Sequence, residues 1–384
     1  MRAVAWQSAR TVQVVDTADP VIREPTDAII KVTATAICGS DLHLYDHGAA
    51  MRMRSGDIVG HEAMGEVIEV GNAVSRIGVS DRVVVPFNVA CGQCADCRRG
   101  RYSQCRTTRD ADAGTGGALL GYTRRYGGIP GGQAEYLRVP YAHFGPIPVG
   151  VDDPPGVLLL SDVLPAAWEA VDRAEIPDNG TLVVFGLGAV GQMCVTAALY
   201  RGAERVIAVD RVPERLAHAR GNGAEPVDFS DIDDVPETIR DMTSGGADSV
   251  IDAVGMDADG SFAEALLQSV RVQTDRFTAF RQATASVRRG GTVSVIGVYS
   301  SDMLNFPLGE LFDRQLTLRW GLANVRRWDQ VLLGLLRDGD QLGANDIITH
   351  VDSLEDAPDA YERLKHHRDG VIKSVLDPGI DTSL

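Results

Sequence analysis

No stretch of the 384-residue sequence is apolar over the roughly 18 residues needed to span a bilayer. The N-terminus also lacks the apolar segment of a secretory signal, so we expect a cytoplasmic protein. Positive charge is scarce: 37 Lys and Arg residues stand against 53 Asp and Glu residues, for a net charge of −16. This balance argues against nucleic acid and anionic membrane as partners.

Cysteine is rare as well, but four of the six cysteines lie close together. Their spacing is C-x2-C-x2-C-x7-C, formed by Cys91, Cys94, Cys97 and Cys105. Four thiolates at such spacing can close a tetrahedral shell around one Zn²⁺ and leave no position for a substrate. The pattern therefore predicts a structural zinc lobe at about 88–108. Two disulfides are the alternative, which the expected reducing compartment disfavours.

The sequence pattern changes near the middle of the chain. Before about residue 150, short alternating apolar runs broken by Gly and Pro favour an antiparallel, β-rich domain. From about residue 164, solidly apolar strands alternate with helices, which is typical of a parallel sheet covered on both faces. After about residue 310 the pattern is mixed again. The sequence therefore predicts an α/β protein with one domain at 1–163 and 311–384 and a parallel-sheet domain at 164–310.

A dinucleotide-binding fingerprint lies at the start of that second domain. Gly186, Gly188 and Gly191 follow the apolar strand TLVVF and precede a helix that opens with Ala189 and Val190. Glycines at this spacing allow a tight turn, close approach of a pyrophosphate and close helix–strand packing. The next predicted strand ends at Asp210, where a carboxylate can accept from the ribose 2′-hydroxyl. A carboxylate repels a 2′-phosphate, so NAD is favoured over NADP, although the adjacent Arg211 weakens that preference.

Further metal-ligand types are scattered through the chain. Cys38 follows an apolar strand, His61 and Glu62 open another strand, and Asp162 precedes the second domain. Each has an ordinary structural explanation, such as a core residue or a helix cap. Spacing alone does not join them into one site.

The motifs taken together resemble the zinc-dependent medium-chain alcohol dehydrogenase family. They are CGSDLH at 38–43, GHEAMGEV at 60–67, the four-cysteine loop and GLGAVG at 186–191. Within the family the chain is most similar to the formaldehyde dehydrogenase branch. That similarity lies in GGQAEYLRVPYAHF at 131–144, LLLSDVLPAAW at 158–168 and an extra stretch near 257–283.

The resemblance implies a GroES-like catalytic domain joined to a Rossmann domain. It further implies two zinc ions per chain: a structural one on the four cysteines and a catalytic one on Cys38, His61 and Asp162. Glu62 would then lie directly behind the zinc ligands or be a transient ligand. The resemblance also implies an association of identical chains, as a dimer or tetramer.

The resemblance also assigns residues to proton transfer. Ser40 matches the hydroxyl that contacts the substrate oxygen, Asp41 a group behind the zinc ligands, and His43 the end of a proton relay. The implied activity is hydride transfer between a primary alcohol, or an aldehyde hydrate, and NAD. A formaldehyde dehydrogenase or dismutase with tightly held NAD is one alternative, and a non-catalytic NAD-binding redox sensor is another.

Overall fold

The computed structural model describes residues 1–112, 114–256, 277–299, 303 and 306–380. The strands are β1 (Arg2–Ser8), β2 (Thr11–Asp16), β3 (Ala28–Ile37), β4 (Asp57–Ile58), β5 (Glu62–Val70), β6 (Arg82–Val85), β7 (Tyr136–Val139), β8 (Ile147–Val149), β9 (Thr181–Phe185), β10 (Arg205–Asp210), β11 (Glu225–Asp228), β12 (Ala247–Asp252), β13 (Val287–Val295), β14 (Thr317–Trp320), β15 (Ile348–Ser353) and β16 (Lys373–Asp377). The helices are α1 (Gly39–His47), α2 (Val163–Ala174), α3 (Ala189–Tyr200), α4 (Pro213–Gly221), α5 (Val235–Met242), α6 (Thr278–Ser286), α7 (Leu308–Asp313), α8 (Asp329–Arg337) and α9 (Ala357–Lys365). Among these described helices, none combines the length and the apolar character needed to cross a membrane.

Two sheets of mainly antiparallel strands contain β1 to β8, from the first half of the chain, together with β15 and β16. The larger has the order β15-β16-β3-β5-β6-β8, with β7 also paired to β3, and the smaller has the order β2-β1-β4. Alternate residues of β3, namely Ala28, Ile30 and Val32, face a core that also contains Val83 and Leu137. This alternation is the period of two expected for a sheet with one buried face. The predicted antiparallel domain is thereby confirmed.

The strands β9 to β14 form a parallel sheet. Its order is β11-β10-β9-β12-β13-β14, and every pair of neighbouring strands is parallel. The strand order reverses direction beside β9, which is where open α/β sheets bind ligands at the carboxyl ends of their strands. The predicted Rossmann-type sheet is confirmed.

The described chain divides into two compact units. One contains Met1–Pro165 and Asn324–Leu384, and the other contains Ala166–Ala323. The second unit continues past residue 310, where the sequence places the end of the nucleotide-binding domain, because β14 joins the parallel sheet. Most of the extra stretch near 257–283 lies outside the described residues, which resume at 277.

Candidate active site and metal centres

The four-cysteine loop brings its thiols together. The sulfur atoms of Cys91, Cys94, Cys97 and Cys105 all lie within 4.8 Å of one another. All six cysteines of the chain fall in the described ranges and are free thiols, so the alternative of two disulfides is not formed. The arrangement has the residue types and proximity of a closed, structural zinc site.

Backbone N–H groups point at the sulfur atoms of this loop. The amides of Gln93 and Cys94 donate to Cys91 Sγ at 3.4 and 3.3 Å, and that of Arg106 donates to Cys94 Sγ at 3.4 Å. Burial raises the pKa of the Cys94 thiol, but hydrogen bonds from the backbone of Cys97, Arg106 and Asp96 outweigh it and lower that pKa to about 6. The loop therefore stabilises the thiolate form of Cys91 and Cys94, which is the form that binds metal.

Strand pairing assembles a second group from three separate segments. Cys38 lies between β3 and α1, and His61 immediately precedes β5. Because β3 and β5 are antiparallel with Ala36 opposite Glu62, the end of one strand lies beside the start of the other. Asp162 lies between a short 3-10 helix and the start of α2, and this connection brings its side chain beside Cys38 and His61.

The distances within this second group fit a metal centre. One ligand atom from each of Cys38, His61, Glu62 and Asp162 lies within 4.8 Å of the others. Asp162 Oδ2 is 3.4 Å from Cys38 Sγ and 3.3 Å from His61 Nε2. A thiolate, an imidazole and a carboxylate form a donor set that suits Zn²⁺ and balances its charge.

Charge and burial oppose each other at the centre of the group. Burial lowers the pKa of His61, but the carboxylates of Asp41 and Asp162 outweigh it and raise that pKa. Burial raises the pKa of Asp162, but His61 outweighs it and lowers that pKa. The cluster therefore favours a positive charge among its carboxylates, and a bound divalent cation would supply that charge with His61 neutral.

Asp41 lies behind His61 and is itself held in place. Its Oδ1 is 3.2 Å from His61 Nδ1, which leaves Nε2 facing the cluster. Its Oδ2 accepts from the Cys38 amide at 3.0 Å and from Gln133 Nε2 at 3.3 Å. The hydroxyl of Tyr361 donates to Gln133 Oε1 at 2.9 Å. This buried chain of contacts orients the His61 ring, as groups behind metal-binding histidines commonly do.

Gln133 provides a test of that orienting role. We expect Gln133→Leu to weaken zinc binding at this site by about 10-fold or more, because Asp41 loses a donor and Tyr361 an acceptor. The measurement is zinc release in a chelator titration that follows each of the two zinc ions. Tyr361→Phe is the milder comparison, because it leaves the contact between Gln133 and Asp41 in place. Equal zinc affinity in wild type and Gln133→Leu would remove the orienting role.

Lys373 is a site residue that the sequence analysis missed. Its Nζ is 2.5 Å from Glu62 Oε1, and both side chains are essentially inaccessible to solvent. Burial raises the pKa of Glu62, against the opposing effect of Lys373. A lysine inside the apolar run VIKSVL needs a buried partner, and that was the available sequence signal. The ion pair engages Oε1 of Glu62, and Oε2 is buried without a hydrogen-bond partner among the described residues.

Ser40 and His43 lie one helical turn apart at the start of α1. Ser40 Oγ is 3.3 Å from His61 Nε2, so the hydroxyl is beside the cluster. His43 is buried. Their assignment to a proton relay stays a prediction.

The glycine-rich turn has the geometry that its fingerprint requires. Gly186 has a φ of +85°, and a Cβ on Gly191 would come within 1.8 Å of the Gly186 carbonyl oxygen. Gly188 is the N-cap of α3, and a Cβ built on it would meet no atom within 4 Å. Ala189 and Val190 form the first turn of α3, so the free N–H groups of the helix face this open space.

Asp210 ends β10 and is tied to the glycine-rich turn. One oxygen accepts from the Leu187 amide at 2.7 Å, and the other accepts from the amides of Arg211 and Val212 at 2.7 and 2.9 Å. A carboxylate can accept about four hydrogen bonds, so Asp210 retains one acceptor position. The Arg211 side chain is exposed next to it.

Two family models match the chain. Residues 24–149 match the alcohol dehydrogenase GroES-like domain, and residues 189–273 match the zinc-binding dehydrogenase model. The first match contains the four cysteines and three of the four residues in the second ligand group.

Known proteins are similar to this chain over nearly its whole length. An uncharacterized zinc-type alcohol dehydrogenase-like protein AdhB of Bacillus subtilis is 41% identical over 98% of this chain and 100% of its own length. A formaldehyde dismutase of Pseudomonas putida is 31% identical over 91% of this chain and 89% of its own. The solved structure of alcohol dehydrogenase TADH from Thermus sp. ATN1 has a TM-score of 0.82 at 32% identity, covering 98% of this chain and 99% of that one.

Proposed function

Because the chain belongs to the zinc-type medium-chain alcohol dehydrogenase family, we propose that it transfers a hydride between NAD and a primary alcohol or aldehyde hydrate at Cys38, His61 and Asp162. Membership of this family identifies the chain as a zinc-dependent, alcohol dehydrogenase-like oxidoreductase. The observation that carries the finer proposal is the cluster of four ligand atoms within 4.8 Å. Cys38, His61 and Asp162 would hold the catalytic zinc, which supplies Lewis acidity that lowers the pKa of a substrate hydroxyl.

The residues around the cluster have distinct tasks in this proposal. Ser40, beside His61, accepts the hydroxyl proton of the substrate, and His43 passes it on towards solvent. Asp41 holds His61 so that its Nε2 faces the cluster. Glu62, paired with Lys373, adds negative charge next to the ligands, and one of its oxygens is within reach of the ion. The reacting carbon loses a hydride to NAD and its hydroxyl loses a proton, which leaves a carbonyl.

The glycine-rich turn and Asp210 would hold NAD. The open space beside Gly188 and the free N–H groups of α3 suit a pyrophosphate. The remaining acceptor position of Asp210 suits a ribose hydroxyl, and its charge disfavours a 2′-phosphate.

Cofactor choice gives a direct test of Asp210. We expect Asp210→Asn to shift the ratio of kcat/KM values towards NADP by about 10-fold or more, because the repelling charge is gone and Arg211 stays. Turnover at saturating NAD should change little. The matched control is Asp228→Asn, the same change at the exposed end of the neighbouring strand, with Asp228 opposite Asp210. Unchanged selectivity, or a wild type that already prefers NADP, would contradict the assignment.

A formaldehyde dismutase with tightly held NAD is the second candidate, favoured by the similarity to the Pseudomonas putida enzyme. The deciding experiment assays zinc-loaded protein with alcohols and formaldehyde, with and without added NAD. Exchangeable NAD predicts NADH formation that depends on added NAD. A dismutase predicts that formaldehyde is converted to methanol and formate without added NAD, and that denatured protein releases nucleotide. No turnover of any substrate by protein with two zinc ions would favour a redox sensor.

A further inference from the structure

An aromatic pair lies against the metal-binding imidazole. The rings of Phe87 and Tyr122 meet the His61 ring edge-on, with centroids 6.0 and 6.3 Å away. The Leu120 amide donates to the Phe87 carbonyl at 3.1 Å, which fixes the two segments beside each other. Gly121 has a φ of +52°, and a Cβ there would lie 2.1 Å from the carbonyl oxygen of Gly60. The backbone therefore holds Tyr122 tightly next to His61.

The Tyr122 hydroxyl is a buried polar group that needs a partner. The residue is 9% exposed, and no described residue hydrogen-bonds its oxygen. A tyrosine hydroxyl is protonated near neutral pH, so this one is able to donate a hydrogen bond. A buried hydroxyl without a partner destabilises a folded protein, and native proteins keep such groups mainly where a ligand or water completes them.

We infer that Tyr122 determines substrate specificity by hydrogen-bonding a second oxygen of the substrate, on or next to the reacting carbon. Phe87, the other ring against His61, has no polar side-chain atom. Of the two rings, only Tyr122 can therefore bind a second oxygen of the substrate. The substrate class is then aldehyde hydrates and 1,2-diols rather than simple alcohols. Oxidation of a diol yields a hydroxyaldehyde, and oxidation of a hydrate yields a carboxylic acid, with the hydride passing to NAD in both. The inference rests on the proposed oxidoreductase function.

The test compares wild type, Tyr122→Phe and Tyr126→Phe on substrates matched in size. Tyr126→Phe is the control because it removes the same hydroxyl group from a neighbouring tyrosine. The Tyr126 ring is partly buried, and its centroid lies 5.8 Å from that of Tyr122. The oxidised substrates are ethanol, ethylene glycol and formaldehyde hydrate, each with zinc-loaded enzyme and NAD. We expect kcat/KM for ethylene glycol or for the hydrate to fall about 10-fold in Tyr122→Phe, with ethanol within about twofold. Tyr126→Phe should match wild type, and the substrate that loses activity identifies the second oxygen as that of a diol or a hydrate.

Thermal unfolding provides a readout that does not depend on activity. If the hydroxyl serves the substrate, Tyr122→Phe should leave Tm unchanged or raise it, because a buried unpaired group is removed. A drop in Tm with equal losses on all three substrates would make Tyr122 a structural residue and overturn the inference. Equal wild-type kcat/KM on ethanol and on both oxygen-rich substrates would also overturn it, while leaving the proposed oxidoreductase function intact. No oxidation of any substrate would instead count against the proposed function.

Discussion

Asp162→Ala is expected to abolish turnover and to lower the zinc content from two ions per chain to about one. The carboxylate of Asp162 contacts both Cys38 and His61, so its loss removes a ligand and half of the negative charge that balances Zn²⁺. Loss of the metal's Lewis acidity removes several kcal/mol of transition-state stabilisation, or about 1,000-fold in rate. Elemental analysis and kcat at saturating substrate measure the two effects.

The competing explanation for Asp162 is a helix cap before α2. Loss of a cap would cost about 1 kcal/mol of unfolding free energy and leave the chemistry intact. Asp162→Cys separates the two explanations, because a thiolate is a good zinc ligand. We expect Asp162→Cys to retain two zinc ions and measurable turnover. Normal kinetics in Asp162→Ala would defeat the assignment of Asp162 as a ligand. A single zinc ion in wild type would remove either the structural or the catalytic assignment.

Local features of the site could be predicted from the sequence. The four cysteines and the glycine-rich turn each lie within one short segment, so their spacing alone determines which atoms meet. The alternation of strands and helices likewise predicted the parallel sheet. The edge strand β14 did not stand out, because its four residues, TLRW, are largely exposed and carry no apolar run.

The catalytic cluster could not be derived from spacing. Cys38 and Asp162 are 124 positions apart, and only the pairing of β3 with β5 and the turn before α2 bring them together. The family resemblance predicted these residues as ligands, and the structure shows that their side chains lie close together. Lys373 lies 311 positions from Glu62 and reaches it because β16 pairs with β3. Gln133 and Tyr122 were missed for the same reason: their roles depend on contacts made by distant segments.

Cys97→Ser is expected to impair folding much more than chemistry. Cys97 is 3% exposed and belongs to the buried four-cysteine cluster. Metal binding at a structural site contributes to folding directly, by about 10–16 kcal/mol in zinc-finger peptides. We therefore expect a large drop in Tm, loss of one zinc ion and low recovery of folded protein. The fraction that folds should keep its catalytic zinc, because Cys38, His61 and Asp162 lie outside the loop.

Cys194→Ser is the matched control for this prediction. Cys194 is a fully buried thiol in α3 and is a member of neither ligand group. Its replacement buries a hydroxyl, which costs about 1–3 kcal/mol, and should leave two zinc ions bound. A chelator should then lower the Tm of Cys194→Ser as it does that of wild type, and affect Cys97→Ser much less. Equal Tm losses in the two variants, with zinc content unchanged in both, would show that the four cysteines form a packed core without metal.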